Sequence, residues 1–143
     1  MEKMKLMLVD DEEGFLVTTK KLLQRKGIDV TTAKSGAEAL EILEKEDIHV
    51  VILDVKMPGM DGVATLKAIK SRNPLVEVIM FTGHASVESA VDGLMSGATD
   101  YLTKPYDVNE LVAKAEEAYS RRKFQEEKIR VAQTTAGGSK DKA

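Results

Sequence analysis

Short apolar runs and longer amphipathic segments alternate along the chain between residues 6 and 119. The apolar runs have the length of strands, and apolar residues recur at helical spacing in the segments between them. The predicted strands cover about residues 6–9, 28–30, 50–53, 76–81 and 99–103, and a helical segment follows each of them. This strict alternation predicts a parallel sheet with helices on both faces.

The predicted fold class is α/β: a single doubly wound (βα)5 domain with a parallel five-stranded sheet. Strand order 2-1-3-4-5, which is flavodoxin-like, is the simplest right-handed winding of five such units. Local signals set the helix ends. They are Gly27 and Gly97 after helices, a capping box at Ser35 and Glu38, an N-cap at Ser86, a stop before Pro74 and a start near Asp107.

Charge divides the chain into two parts. Residues 1–120 hold 14 basic and 21 acidic side chains, whereas residues 121–143 hold 7 basic and 3 acidic ones. We therefore expect one domain over residues 1–120, followed over residues 121–143 by a basic extension of the last helix and a disordered tail. An acidic body does not favour direct contact with nucleic acid, because such binding depends largely on neutralising phosphates.

Composition also excludes several classes of protein. The chain has no cysteine, which rules out disulfides, thiolate metal sites and cysteine nucleophiles. The first apolar run has four residues and ends at Asp10, which is shorter than the core of a secretory signal. No apolar stretch is long enough for a membrane span. We expect a cytoplasmic protein without a membrane anchor.

Polar residues stand where four of the predicted strands end. They are the pair Asp10 and Asp11, then Asp54, Thr82 and Lys104. The carboxyl ends of parallel strands meet at one edge of a sheet, so these side chains are expected to lie together. Three carboxylates, one hydroxyl and one ammonium form a site for a hard divalent cation and a phosphoryl group.

The chemistry of these groups assigns each a candidate role. Mg²⁺ (or Mn²⁺) would take its oxygen ligands from Asp10, Asp11, Asp54 and the backbone carbonyl of Lys56. Asp54 follows the central strand and is the candidate nucleophile towards phosphorus, which would give an acyl phosphate. The Lys104 ammonium would neutralise phosphoryl oxygens, and the Thr82 hydroxyl or a nearby amide would donate a hydrogen bond to another.

These motifs together resemble the receiver domain of two-component response regulators over roughly residues 4–120. The motifs that match at the family's spacing are Asp10-Asp11, Asp54 with Met57-Pro58-Gly59-Met60-Asp61-Gly62, Thr82-Gly83-His84 and Lys104-Pro105. No single motif is specific, but the joint match is. The resemblance implies a phosphoacceptor signalling switch with no external substrate beyond its phosphoryl donor, rather than an enzyme.

The resemblance also implies partners and residue roles. Asp54 would accept phosphoryl from a sensor histidine kinase or phosphotransfer protein, with Thr82 and Tyr101 as switch residues and Lys104 paired to the phosphoryl group. The face of the fourth helix, fifth strand and fifth helix would then change its binding of a downstream output protein or domain. Lys56 and His84 would tune the phosphoryl lifetime, and the Lys104-Pro105 bond would be cis.

Simpler interpretations stand beside these roles. Asp11 is also a candidate cap for the first helix, Tyr101 a packing residue, and Lys56 and His84 ordinary loop residues. A phosphohydrolase of the haloacid-dehalogenase type also uses an aspartate nucleophile, but it needs a second aspartate where Lys56 stands. The chain could instead be the receiver fragment of a larger DNA-binding transcription activator. We expect a monomer or a phosphorylation-dependent dimer.

Overall fold

The computed structural model describes residues 3–54, 62–82, 94, 96–103 and 107–142, with side chains described to residue 134 except at Thr82. The strands are β1 (Lys5–Val9), β2 (Asp29–Ala33), β3 (Val50–Leu53), β4 (Glu77–Thr82) and β5 (Asp100–Thr103). The helices are α1 (Glu13–Arg25), α2 (Gly36–Lys45), α3 (Gly62–Arg72) and the C-terminal helix (Val108–Lys142). Most of the predicted fourth helix lies outside the described residues.

The five strands form one parallel sheet in the order β2-β1-β3-β4-β5. This confirms the predicted fold class and strand order. All four residues of β3 are buried, as expected for a central strand covered on both faces. The short apolar runs of the sequence are therefore strands whose two faces both pack against helices.

Alternate residues of each strand point into two separate cores. From β1, Leu6 and Leu8 pack towards α1 and the C-terminal helix, whereas Met7 and Val9 pack towards α2 and α3. Helix residues of the first core are Leu16, Leu23, Leu111, Ala115 and Ala118, and those of the second are Ala39, Leu40, Leu43, Leu66 and Ile69. The helices thus hold the sheet rigid from both sides and leave its carboxyl edge to carry polar groups.

Local capping follows the predicted signals with two differences. Gly27 has a φ of 83° after α1, and Ser35 Oγ accepts the Glu38 N–H at 3.1 Å. The Glu38 carboxylate accepts the N–H of Lys34 at 3.3 Å rather than that of Ser35. At α1 the predicted cap from Asp11 is not formed: the N-cap is Glu12, without a side-chain cap, and the Asp10 carboxylate accepts the N–H of Glu12 at 2.9 Å.

The C-terminal helix continues to Lys142. The disordered tail expected at the end of the chain stays a prediction. The chain has no proline after Pro105, so no residue removes a backbone donor from the helix. Gly137 and Gly138 lower helix propensity by only about 1 kcal/mol each relative to alanine. None of the helices in the described part of the chain combines the length and the apolar composition that a membrane span requires.

Candidate functional site

Strand register brings Asp10 and Asp54 to neighbouring positions at the carboxyl edge of the sheet. Val9 and Leu53, the residues before them, are partners in the β1–β3 ladder. The Asp54 N–H donates to the Val9 carbonyl at 2.9 Å, and the Asp10 N–H donates to the Ala33 carbonyl at 3.1 Å. Both aspartates therefore continue the hydrogen bonding of the sheet, which fixes their backbones before any ligand is considered.

The carboxylates of Asp10, Asp11 and Asp54 form a cluster in which one oxygen of each lies within 4.8 Å of the others. Asp10 is 1% exposed and Asp54 is 7% exposed, whereas Asp11 is open to water. This geometry suits a cation that takes carboxylate oxygens on one side and keeps waters on the other, as Mg²⁺ does. Three close carboxylates also repel one another, and a divalent cation relieves that repulsion.

The remaining predicted ligand and site residues are described only in part. Lys56, His84 and Lys104 lie outside the described residues. The backbone of Thr82 ends β4 opposite Thr103 of β5, two residues beyond Met80, which pairs with Leu53. Thr82 therefore reaches the same edge as Asp54, although its side chain is not described. The three carboxylates are the part of the predicted site that the structure brings together.

Tyr101 lies on β5 and packs against the core formed with α2 and α3. Its hydroxyl oxygen is fully buried and has no hydrogen-bond partner in the described part of the chain. Burial raises the pKa of the Tyr101 phenol, and the negative charge of Asp54 raises it further. The predicted switch tyrosine and the predicted phosphoacceptor therefore act on one another electrostatically.

Two polar residues at the opposite, amino edge of the sheet have roles that the sequence did not predict. His49 Nδ1 accepts the Lys5 N–H at 2.9 Å, so this ring closes a strand end. The Arg122 guanidinium donates to the Ile48 carbonyl at 2.6 Å. Arg122 stands in an Arg-Arg-Lys run that suggests a solvated surface. Its spacing from the buried Leu111, Ala115 and Ala118 was the available signal.

Comparison with known families gives one match that covers most of the chain. The model of the response regulator receiver domain matches residues 6–116. That range contains the three clustered carboxylates, strands β2 to β5, all of β1 except its first residue, and the first nine residues of the C-terminal helix.

Named relatives extend this match. The DNA-binding transcriptional regulator NtrC of Escherichia coli K12 is 39% identical over 127 residues, which are 89% of this chain and 27% of NtrC. The transcriptional regulatory protein ZraR of the same strain is 42% identical over 113 residues, 79% of this chain and 26% of ZraR. This chain thus spans about a quarter of the length of these relatives.

Solved structures show the same fold. A CheY-like response regulator receiver domain protein from Methanospirillum hungatei superposes with a TM-score of 0.83 at 31% identity, covering 87% of this chain and 99% of that one. NtrX from Brucella abortus gives a TM-score of 0.84 at 30% identity, covering 91% of this chain and 30% of NtrX. The chain therefore matches both an isolated domain and one part of a longer regulator.

Proposed function

The chain belongs to the response regulator receiver domain family, and from that premise we propose that Asp54 is its phosphoacceptor. The observation that carries the proposal is the carboxylate cluster at the carboxyl edge of the sheet. Asp54 directly follows the central strand, is nearly buried and lies beside two further carboxylates. A carboxylate held in this way is positioned to attack phosphorus without first losing a large shell of water.

The proposed donor is a phosphohistidine on a sensor histidine kinase or a phosphotransfer protein. An Asp54 carboxylate oxygen forms the new bond to phosphorus while the bond from phosphorus to the imidazole nitrogen breaks. The histidine keeps the electron pair, and Asp54 becomes an acyl phosphate. We assign the ligands of Mg²⁺ (or Mn²⁺) to Asp10, Asp11, Asp54 and the Lys56 carbonyl. The bound cation supplies positive charge against the phosphoryl oxygens.

We further assign Lys104 to a phosphoryl oxygen and Thr82 to hydrogen bonding at the same group. Tyr101 is proposed as the second switch residue. The support is its buried hydroxyl and its electrostatic interaction with Asp54. Lys56 and His84 are proposed to tune the lifetime of the acyl phosphate. Phosphorylation adds charge and strong acceptors, which can bias two packings that differ by a few kcal/mol.

The proposed output is a change in the face formed by the predicted fourth helix, β5 and the C-terminal helix. Its partner is a downstream output protein or domain. NtrC is a DNA-binding regulator about four times as long as the matched segment, which supports a receiver part of a larger activator. In that arrangement another segment would contact DNA. We also propose a cytoplasmic location and a protein that is a monomer or a phosphorylation-dependent dimer.

The phosphohydrolase alternative has less support. Its mechanism needs a second aspartate as general acid two residues after the nucleophile, and this sequence has Lys56 there. The family match instead covers the whole carboxylate cluster. We therefore propose a signalling domain that removes its own phosphoryl group but has no external substrate other than the phosphoryl donor.

The test is to incubate the protein with acetyl phosphate and Mg²⁺ and to measure its intact mass. We expect one phosphoryl adduct, absent in Asp54→Asn and absent when EDTA removes the metal. Asp29→Asn is the matched control, because Asp29 is an exposed aspartate at the amino end of β2. It should be labelled like the unchanged protein.

Two outcomes would contradict the proposal. One is an adduct that persists in Asp54→Asn, which would place the acceptor elsewhere. The other is a protein that neither forms an adduct nor changes its amide spectrum with beryllofluoride and Mg²⁺. Beryllofluoride separates a fast-hydrolysing acyl phosphate from a site that does not bind the phosphoryl group.

A further inference from the structure

The buried guanidinium of Arg122 connects the C-terminal helix to the amino edge of the sheet. It donates from Nη1 to the Ile48 carbonyl at 2.6 Å and from Nη2 to the Asp47 carboxylate at 3.0 Å. Its Nε donates to Glu126, one turn further along the same helix, at 2.6 Å. Arg122 is only 8% exposed, so it is held by these three partners rather than by water.

The turn of helix that contains Arg122 makes two further contacts at the same edge. The Tyr119 ring lies 5.0 Å from the His49 ring, centroid to centroid, and His49 holds the first amide of β1. Arg121 lies 3.9 Å from the carboxylate of Glu77, the first residue of β4. A single turn of helix therefore meets groups at the amino ends of β1, β3 and β4.

Beyond Gln125, which still lines a cavity together with Lys70 and Pro74, the helix leaves the body of the domain. Arg122 is the last buried residue among those whose side chains are described, and residues 126–134 are all exposed. The Arg130 guanidinium pairs with Glu127, and the Thr134 hydroxyl donates to the Arg130 carbonyl at 2.9 Å, both within the helix. Residues 123–142, here called the extension, would reach about 30 Å at 1.5 Å per residue.

A projecting helix takes its direction from the last place where it is fixed. Side-chain pairs inside the extension stiffen it but cannot aim it, because they do not touch the body. The contacts of Arg122 with Asp47 and Ile48 can fix the direction of the extension, since they join the helix to the chain segment that leads into β3. Loss of this side chain would also leave the Ile48 carbonyl without a buried charged donor.

We propose that Arg122 is a positioning residue that fixes the direction of the extension relative to the sheet. The extension is then a rigid arm that carries whatever follows the domain in a defined orientation, rather than a flexible tether. This inference does not depend on Asp54 phosphorylation. It assigns the amino edge of the sheet a mechanical role opposite the carboxylate cluster.

The test measures one distance in the unphosphorylated protein. The chain has no cysteine, so spin labels attached through Lys21→Cys on α1 and Gln133→Cys on the extension are uniquely placed. Both positions are exposed. Double electron–electron resonance should give a single narrow distribution of the distance between the two labels. In Arg122→Met we expect this distribution to become broad.

Arg130→Met is the matched control. Each arginine pairs with a glutamate on the same helix. In the described part of the chain, Arg122 also bonds to the Ile48 carbonyl, whereas Arg130 has only its partner on the helix. Arg130→Met should keep the narrow distribution. Amide exchange of β1 and β3 should stay slow in both variants, which separates a redirected helix from an unfolded domain.

A narrow distribution in Arg122→Met would overturn the proposal. Equal broadening in Arg130→Met would also overturn it, because the helix would then be losing its own stiffness. If Arg122→Met does not fold, Asp47→Ala takes its place, since Asp47 is an exposed partner of the guanidinium. Asp47→Ala should broaden the distribution partially, and an unchanged distribution there would contradict the role assigned to Arg122.

Discussion

At the scale of single residues, the three clustered carboxylates differ mainly in their contact with water. Asp10 and Asp54 are nearly buried, and their backbones are fixed by the sheet. Asp10 also accepts the N–H of Glu12. Asp11 is exposed and has no comparable restraint among the hydrogen bonds described. Asp11 is therefore the carboxylate that can be changed with least damage to the fold, which makes it the best probe of the cluster.

The first prediction concerns Asp11→Asn. Without Mg²⁺ this variant should be more stable than the unchanged protein by about 0.5–1 kcal/mol, because it removes one charge from a repulsive cluster. Added Mg²⁺ should stabilise it less, because one ligand is missing. Thermal unfolding with and without Mg²⁺ measures both effects.

The control for Asp11→Asn is Asp29→Asn, which changes the net charge equally but lies at the amino end of β2. It should leave the Mg²⁺ response unchanged. If Mg²⁺ stabilises Asp11→Asn as much as the unchanged protein, Asp11 is not a ligand of the metal.

The second prediction concerns Tyr101→Phe. The Tyr101 hydroxyl is buried without a described partner, so its removal should raise stability at neutral pH by about 0.5–1 kcal/mol. Burial, followed by the charge of Asp54, raises the pKa of the phenol in the folded state. In the unfolded chain a tyrosine ionises at about pH 10. The unfolded state therefore loses its proton first, and stability falls as pH rises from there towards the folded pKa.

The stability of Tyr101→Phe should fall less steeply above about pH 10, because the contribution of the Tyr101 phenol is absent. Urea unfolding at neutral pH and at several values above about pH 10 measures the free energy of unfolding of both proteins. An identical alkaline slope in the two proteins would mean that Tyr101 ionises equally easily when folded and unfolded.

At the scale of elements, the start of α2 lies close against α3. Gly36 is the first residue of α2, and a Cβ atom there would overlap the Thr65 hydroxyl. Thr65 is fully buried in α3. The two helices cover the same face of the sheet, so they approach one another closely. A glycine at this position allows that approach, which the cap at Ser35 alone does not require.

The third prediction is that Gly36→Ala destabilises the protein by about 1–3 kcal/mol, although alanine favours helix formation. In combination with Thr65→Ala it should cost less than the sum of the two single changes, because the overlap is removed. Urea unfolding of the four proteins measures the coupling.

The control for Gly36→Ala is Gly14→Ala. Gly14 lies in α1 with open space around the position of a Cβ, so alanine should stabilise there by about 0.5–1 kcal/mol. Strict additivity of Gly36→Ala and Thr65→Ala would show that the helices move apart at no cost.

At the scale of the whole molecule, buried side chains extend further along the chain than the acidic part of the sequence does. The charge pattern predicts a division after residue 120, but Arg122 is buried and bonds to residues 47 and 48. We therefore expect the folding unit to end just beyond Arg122. The projecting helix after it adds length and positive charge to an acidic body.

The fourth prediction tests this boundary with two truncations. A chain that ends after Gln125 should unfold at nearly the same urea concentration as the full sequence. A chain that ends after Glu116 loses the buried Ala118 and Arg122 and should be less stable by roughly 2 kcal/mol or more. Large destabilisation by the longer truncation would show that the extension belongs to the folding unit.

The sequence by itself determined the fold class, the strand order and the meeting of Asp10, Asp11 and Asp54. Each follows from local signals: apolar periodicity, alternation of elements and polar residues at strand ends. A parallel sheet turns these local signals into a shared edge, because all of its strands end on the same side. The roles of Lys56, Thr82, His84 and Lys104 stay predictions.

Tertiary structure alone decided how closely α2 approaches α3 and where the C-terminal helix is held. Arg122 forms hydrogen bonds with Ile48 and Asp47, which precede it in the sequence by 74 and 75 positions. The close approach of Gly36 and Thr65 joins two different helices. The helical spacing of Arg122 indicates the face of the helix on which it lies but not its partners, because such pairs depend on how finished elements pack. A charged side chain becomes a buried anchor only after packing has brought it beside a carbonyl that needs a donor.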